Sequence, residues 1–209
     1  MSELHDRLSL LYRAGHRRTV TGLRDDSEWL PEGARARRAA VLVAITDRPL
    51  PYDDPASPGP GILFIQRPTR MRRHPGQVAF PGGGIDPGET PIQAALREAE
   101  EEIALPPTRV KVIGESDRYR TGSGFDITPV LATVPPDLPL NANPAEVDSW
   151  FEAPLSFLLD TGNVREGTGE LNGKKRRFLE MHYQDYRIWG VTAAILDNLR
   201  RRLLRGPRL

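Results

Sequence analysis

The sequence predicts a mixed α/β fold in a single domain. The runs "AAVLVAIT" (39–46) and "ILFIQ" (62–66) are apolar, short and rich in β-branched residues, which is typical of buried strands. Segments 90–103 and 191–205 instead carry apolar side chains at helical spacing. A chain of 209 residues fits one domain with appended elements. We therefore expect a single domain over 1–209, with an N-terminal helical extension over about 1–37.

The first elements are separated by a stretch that cannot form regular structure. Leu4 to Tyr12 has helical spacing and predicts a short amphipathic helix. Residues 47–61 are rich in proline and glycine, and proline supports neither helix nor ladder hydrogen bonds. The strands 39–46 and 62–66 should therefore be neighbours joined by a long surface loop.

The second half of the chain is also predicted to contain both strands and a helix. Strands are predicted over 110–115 and 126–134, and residues 177–190 alternate well enough for another strand. The polar stretch 161–177 is predicted to be a flexible hairpin loop. The last helix, 191–205, places Val191, Ile195, Leu199 and Leu203 on one face, with arginines near its C-terminal end, where the helix dipole favours them.

Composition excludes several classes of protein. The formal net charge is +1, so no global field attracts nucleic acid or a membrane surface. The chain has no cysteine, which excludes disulfides and thiolate chemistry and fits a reducing compartment. Its N-terminus lacks the apolar region of a secretory signal, and no run approaches the length of a membrane span. A cytoplasmic protein that binds neither nucleic acid nor a membrane is expected.

Residues 82–104, "GGGIDPGETPIQAALREAEEEIA", contain the main concentration of acid in the chain. The three glycines after Pro81 predict a tight loop without regular structure, and Thr90 with Pro91 predicts a helix start. Glu98, Glu101 and Glu102 stand at i, i+3 and i+4, so they project from one surface. Such carboxylates suit Mg²⁺ or Mn²⁺, although acids on a helix more often form a solvated face.

The pattern of this stretch resembles the Nudix box, G-x5-E-x7-R-E-U-x-E-E-x-G-U, over residues 83–105. The matching residues are Gly83, Glu89, Arg97, Glu98, Glu101, Glu102 and Leu105. Two positions depart from the pattern: Ala99 is smaller than the usual aliphatic residue, and Ala104 replaces the final glycine. We expect the helix to continue past Ile103, so that Ala104 needs no positive φ.

The resemblance implies a fold, a reaction and a set of site residues. The fold is an α/β/α sandwich with a mixed sheet and a catalytic loop–helix–loop, and the reaction is metal-dependent hydrolysis of a nucleoside diphosphate linked to a group X. Glu98 and Glu102 would bind Mg²⁺ or Mn²⁺, with Glu101 a further ligand or a general base. Arg97 would orient a glutamate, with Glu89 as the candidate partner.

The residues before the box resemble the signature of the coenzyme A pyrophosphatase branch. The matches in "LFIQRPTRMRRHPGQVAFPGG" (63–83) are Leu63, Arg67, Pro68, His74, Gly76, Gln77, Val78, Phe80, Pro81, Gly82 and Gly83. The resemblance makes the matched residues Arg67, His74, Gln77, Phe80, Gly82 and Gly83 candidates for substrate binding. Arg70 is a further candidate for phosphate recognition because its guanidinium lies close in sequence to the box. The alternatives are a solvated basic loop for Arg70, Arg72 and Arg73, and a loop-holding role for His74.

Downstream segments extend this resemblance to about residue 200. Residues 143–159 and 188–196 match the branch's "E-V-x-x-x-F-x-V-P-L" and "I-W-G-x-T-A-x-I-L" stretches, and Glu146 either approaches the metals or caps a helix. The implied reaction converts coenzyme A to 3′,5′-ADP and 4′-phosphopantetheine. Hydrolysis of another substrate such as ADP-ribose, or a silent ligand-sensing domain, are the alternatives, and a homodimer is left open.

Overall fold

The computed structural model describes residues 2–30, 33, 35–50, 57–70, 75–171 and 174–203, with Leu171 and Lys174 described by their backbone alone. Its helices are α1 (Glu3–His16), α2 (Pro91–Ile103), α3 (Leu155–Leu159) and α4 (Val191–Leu203). Its strands are β1 (Arg37–Thr46), β2 (Gly61–Gln66), β3 (Val78–Ala79), β4 (Gly82–Gly84), β5 (Lys111–Glu115), β6 (Tyr119–Arg120), β7 (Phe125–Val134), β8 (Ser149–Pro154), β9 (Arg165–Leu171), β10 (Lys174–Tyr183) and β11 (Tyr186–Trp189).

The main sheet is mixed and contains eight strands within the described residues. Its central path is β3-β2-β1-β7-β5, with β4 also pairing with β1, β6 with β7 and β8 with β2. β1 and β7 run parallel over their whole length, whereas β1 and β2 are antiparallel, with Ile45 opposite Ile62. The prediction that strands 39–46 and 62–66 are neighbours is therefore confirmed.

Helices cover both faces of this sheet because successive side chains of β1 point to opposite sides. Ala40, Leu42 and Ala44 face α2, whose Ala94, Ala95, Ala99 and Ile103 are fully buried against them. Val43 and Ile45 face the other way, toward the buried leucines of α1 and α4. The result is a three-layer α/β fold, and the predicted fold class is confirmed.

The prediction of a flexible loop over 161–177 is wrong. Residues 165–171 form β9, which pairs with β10 in a separate three-stranded sheet, β11-β10-β9. Glycines make this pairing close: a Cβ on Gly167 would lie 2.4 Å from the Phe178 ring. The segment is polar because the side chains of β9 are mostly exposed to solvent. The strand predicted over 177–190 is divided by a turn at Gln184 into β10 and β11.

The predicted N-terminal helix is present and longer than expected, and it packs against the C-terminal helix. The Tyr12 hydroxyl donates to the Glu115 carbonyl at 2.5 Å. Arg202 of α4 donates to Asp117 at 2.6 and 2.7 Å and to the Gly15 carbonyl at 3.0 Å. Arg202 therefore fixes the end of α1 against α4 and the loop after β5.

Candidate active site

The three glycines that precede the acidic helix form a strand, which corrects the prediction of a loop without regular structure. Gly82–Gly84 is β4, and it pairs antiparallel with Ala39–Val41 of β1. The reason is that glycine permits a very close approach: a Cβ on Gly82 would lie 2.3 Å from the Ala40 carbonyl oxygen. A Cβ on Gly83 would lie 2.4 Å from Glu98 Oε1. The absence of side chains thus leaves room for the carboxylates of α2.

Helix α2 begins where the sequence predicts. The Thr90 hydroxyl accepts from the Gln93 backbone N–H at 3.2 Å, and the Gln93 side chain accepts from the Thr90 N–H at 2.9 Å. With Pro91 at the first helical position, this capping box fixes the start of the helix. The rotation of α2 is then set by its buried alanines, so Glu98 and Glu102 point toward β4.

The other end of α2 contradicts the sequence prediction. The helix ends at Ile103, and Ala104 adopts a left-handed conformation with φ 55° and ψ 33°. The Ala104 N–H donates to the Glu100 carbonyl at 3.0 Å, and the Leu105 N–H donates to the Ala99 carbonyl at 3.3 Å. This turn directs Leu105, which is fully buried, into the core. Ala104 therefore occupies the conformation that the family's glycine would adopt without strain.

Glu98 and Glu102 lie in surroundings that disfavour negative charge. Glu102 is only 6% exposed, and burial raises its pKa to about 8 even though Oε2 accepts from the Gly82 N–H at 2.9 Å. Burial also raises the pKa of Glu98, and the neighbouring Glu101 and Glu146 add to the effect. Crowded, desolvated carboxylates of this kind are stabilised by a cation.

Arg97 is the cation that the structure places among these acids. Its Nε and one terminal nitrogen donate to the two carboxylate oxygens of Glu89 at 2.9 and 3.2 Å. Its other terminal nitrogen donates to Glu98 at 3.1 Å and to Glu101 at 3.0 Å. The contact that the sequence predicted between Arg97 and Glu89 is therefore present and bidentate. It joins the loop before α2 to the acidic surface of the helix.

The acidic residues fit a divalent cation by their chemistry, although they are not arranged as a finished cage. Among the described residues, no three His, Cys, Asp or Glu side chains converge as a metal site. Glu98 and Glu101 are turned toward Arg97 instead. Their oxygens are the hard ligands that Mg²⁺ and Mn²⁺ prefer, and Gly83 keeps space open beside Glu98.

A loop remote in sequence closes over the end of α2. The Asn143 backbone N–H donates to the Glu102 carbonyl at 2.9 Å, and its side chain donates to the Glu101 carbonyl at 3.2 Å. This holds Glu146 near the acids, where its charge raises the pKa of both Glu98 and Glu102. Residues 144–146 form a turn, so the alternative that Glu146 caps a helix is wrong.

Of the predicted substrate residues, the structure brings Arg67 and Gln77 together, places Arg70 against another loop, and does not describe His74. The Arg67 backbone N–H donates to the Gln77 carbonyl at 3.0 Å. The charge of Arg67 partly offsets the rise that burial causes in the pKa of Glu102. Arg70 donates to the carbonyls of Pro144 and Ala145 at 2.5 and 3.0 Å. His74, with Arg72 and Arg73, lies outside the described residues.

The family of the chain is decided by a match to the NUDIX domain over residues 35–171, which include the whole of this site. The chain is a Nudix hydrolase. Enzymes of this family hydrolyse a nucleoside diphosphate linked to another group, generally with a divalent cation such as Mg²⁺ or Mn²⁺. The departures at Ala99 and Ala104 do not place the chain outside the family.

Relatives of this Nudix hydrolase support the same conclusion. The chain is 43% identical over 164 residues to a protein of Escherichia coli named uncharacterized Nudix hydrolase NudL, covering 78% of this chain and 81% of the relative. The NudL of Shigella boydii is 42% identical with the same coverage. The crystal structure of the Nudix hydrolase RenU from M. smegmatis aligns with a TM-score of 0.55 at 21% identity, covering 86% of this chain and 99% of RenU. That likeness supports the fold alone.

A cavity of about 330 Å³ opens beside the glycine strand of this Nudix hydrolase. Its lining includes Gly82, Gly83 and Gly84 of β4, Arg67 and Gln77, and Val191, Thr192 and Ile195 from the first turns of α4. Phe80 contributes to the lining from a buried position. Since the helix α4 and the strands β1 and β7 are far apart in sequence, no local motif indicated this cavity. No helix among the described residues is both long and apolar enough to span a membrane.

Proposed function

We propose that this Nudix hydrolase cleaves the pyrophosphate of coenzyme A, giving 3′,5′-ADP and 4′-phosphopantetheine. The observation that carries the proposal is the position of Arg67 and Gln77, two residues of the coenzyme A signature. They are joined by a backbone hydrogen bond and both line the cavity beside β4, and the charge of Arg67 partly offsets the burial that raises the pKa of Glu102. Within the described part of the signature, Arg67, Gln77, Phe80, Gly82 and Gly83 line this cavity, which supports placing the substrate there.

The acids of α2 have the chemistry for holding Mg²⁺ or Mn²⁺. Glu98 and Glu102 are the proposed ligands because both are partly desolvated and border the glycine strand. The bound cation would neutralise the pyrophosphate and lower the pKa of an attacking water. Arg97, through its bidentate pair with Glu89, would hold the helix surface in position.

Two acids compete for the role of general base. Glu101 is half-exposed on the same surface as the ligands and is also a candidate third ligand. Glu146 is exposed on the turn that closes over α2, within electrostatic reach of Glu98 and Glu102. Glu101→Gln and Glu146→Gln separate the two: loss of the base lowers kcat and removes the acidic limb of the pH–rate profile, whereas loss of a ligand raises the Mg²⁺ requirement.

The phosphates of the substrate are assigned to two arginines. Arg67 lines the cavity beside β4 and its charge counteracts the raised pKa of Glu102, so we assign the pyrophosphate to it. Arg70 is 59% exposed and binds the backbone carbonyls of the 144–145 turn, from where it is the better candidate for the 3′-phosphate. Arg70→Ala should narrow the preference for coenzyme A over its 3′-dephospho analogue, whereas Arg67→Ala should weaken the cleavage of both.

The deciding experiment is product analysis with coenzyme A, ADP-ribose and dinucleotides, each in Mg²⁺ and in Mn²⁺. We expect the highest kcat/KM with coenzyme A. Glu98→Gln is the inactive control that excludes a contaminating phosphatase, and Glu100→Gln is its matched control, because Glu100 is exposed on the same helix away from the site. If kcat/KM is higher for ADP-ribose or a dinucleotide, that compound and not coenzyme A is the substrate, and the chain remains a Nudix hydrolase.

A further inference from the structure

The cavity beside β4 is lined mainly by aliphatic side chains. They come from three elements that meet only in the folded protein: Ala39 and Val41 of β1, Ile127 of β7, and Val191 and Ile195 of α4. Val41, Ile127 and Val191 are only partly buried, so they present apolar surface to whatever enters. The space is about 330 Å³, which is room for a chain-like group rather than for a single ion.

The aromatic rings of this cavity are already in contact with neighbours. The Phe80 ring is 3% exposed and stacks on Phe64 in the core, with ring centres 5.1 Å apart. The Phe125 ring carries the Arg37 guanidinium over one face, 4.2 Å from the ring centre. The described lining therefore has no pair of open rings between which a nucleobase would be sandwiched.

The lining carries few polar groups, and nearly all of them are neutral. The hydroxyls of Thr121 and Ser123 lie 3.0 Å apart, and Gln77 supplies an amide. The Thr192 hydroxyl already donates to the Val78 carbonyl at 3.0 Å. Among the described lining residues the charged side chain is Arg67.

We propose that this cavity binds the pantetheine arm of the substrate, an inference that rests on the proposed function. The arm carries a dimethyl-substituted carbon, methylenes and two amides, which match an aliphatic wall with a few hydroxyl and amide partners. The other half of the substrate carries a second phosphate, and burying that charge among aliphatic side chains would be strongly unfavourable. Val191, Ile127 and Ile195 are thereby specificity-determining residues.

The test measures the binding of the two product halves by calorimetry in Mg²⁺. Val191→Thr and Ile127→Thr place a hydroxyl on the aliphatic wall at positions that are partly exposed and tolerate it. Each should weaken binding of 4′-phosphopantetheine by roughly tenfold and leave that of 3′,5′-ADP within about twofold. Val112→Thr on β5 is the matched control, because it is also partly buried but lies outside the cavity, and it should change neither affinity.

A second measurement needs no variant. With methyl-labelled isoleucine, 4′-phosphopantetheine should shift the resonances of Ile127 and Ile195, and leave Ile65, which faces α2 in the other core, unchanged. If 3′,5′-ADP shifts these methyl groups and loses affinity in the threonine variants, the cavity binds the adenosine half and the inference is overturned. If the unmodified chain binds neither half and does not hydrolyse coenzyme A, the proposed function itself fails.

Discussion

Replacing Ala104 with glycine should make this enzyme more stable without changing its chemistry. Ala104 ends α2 with φ 55°, a conformation in which the Cβ of an L-residue is crowded by the backbone. Its side chain is exposed, so removing the methyl group leaves no cavity in the core. The two backbone hydrogen bonds that close the helix, from Ala104 to Glu100 and from Leu105 to Ala99, are retained.

The expected change in the free energy of unfolding is the difference between two opposing contributions. A left-handed alanine costs about 1–2 kcal/mol, which glycine avoids. Glycine is also freer in the unfolded chain, which returns about 0.5–1 kcal/mol. The net gain is about 0.5–1 kcal/mol, or roughly 1–4 °C in Tm for a protein of this size. Calorimetry and urea unfolding measure it, and turnover should stay within about threefold because the carboxylates of α2 do not move.

Two further substitutions check the reasoning. Gln184, in the turn between β10 and β11, is the other described non-glycine residue with positive φ, at 51°, so Gln184→Gly should stabilise the protein for the same reason. Ala14→Gly, inside α1, should destabilise it by about 1 kcal/mol, because glycine is a poor helix former. An unchanged or lower Tm in Ala104→Gly, together with a gain in Gln184→Gly, would refute the account of the α2 terminus.

Four other predictions concern the acidic surface and its arginines. Glu98→Gln should lower turnover by orders of magnitude at limiting Mg²⁺, with an unchanged circular dichroism spectrum, because the amide keeps the shape and loses the charge; full activity would exclude it as a ligand. In the metal-free protein, the pKa of Glu102 is raised from 4.5 to about 8, so the folded state retains a proton that the unfolded chain releases. Stability should therefore fall as the pH rises from about 5 to 8, and Glu102→Gln should flatten that slope. Arg97→Lys should lower kcat more than it raises KM, because lysine cannot make the bidentate pair with Glu89, and an unaffected kcat would show that the pair is only structural. Arg67→Ala should lower kcat/KM about equally for coenzyme A and its 3′-dephospho analogue; a selective loss with coenzyme A would instead assign Arg67 to the 3′-phosphate.

Much of the site was predictable because it is local in sequence. The start of α2 at Thr90 and Pro91 and the shared surface of Glu98, Glu101 and Glu102 follow from contacts three or four residues apart. The strands 39–46 and 62–66 were predictable from another local feature, since their continuous apolar runs reflect burial on both faces of the sheet. A family resemblance then extended these local patterns to a reaction and a set of candidate roles.

The errors arose where a distant part of the chain decides the local conformation. The glycines of β4 look like a loop, but they pair with β1, which lies some 40 residues away. The polar residues of β9 look like a flexible connection, but β10 pairs with them. Ala104 was expected to continue the helix, but the left-handed turn there brings the buried side chain of Leu105 into the core. In each case tertiary packing outweighs a local preference of about 1 kcal/mol.

The sequence by itself determined the family, the acidic helix and the predominantly aliphatic character of the elements that surround it. Only the tertiary structure decided that Arg97, besides its predicted partner Glu89, also contacts Glu98 and Glu101, and that the turn carrying Glu146 closes over the end of that helix. It also formed the cavity, whose lining combines residues of β1, β4, β7 and α4. Hydrophobic burial is not directional, so an apolar pattern states which side chains leave water but not which ones meet. The strand order and the hydrogen bonds of the folded chain decide that.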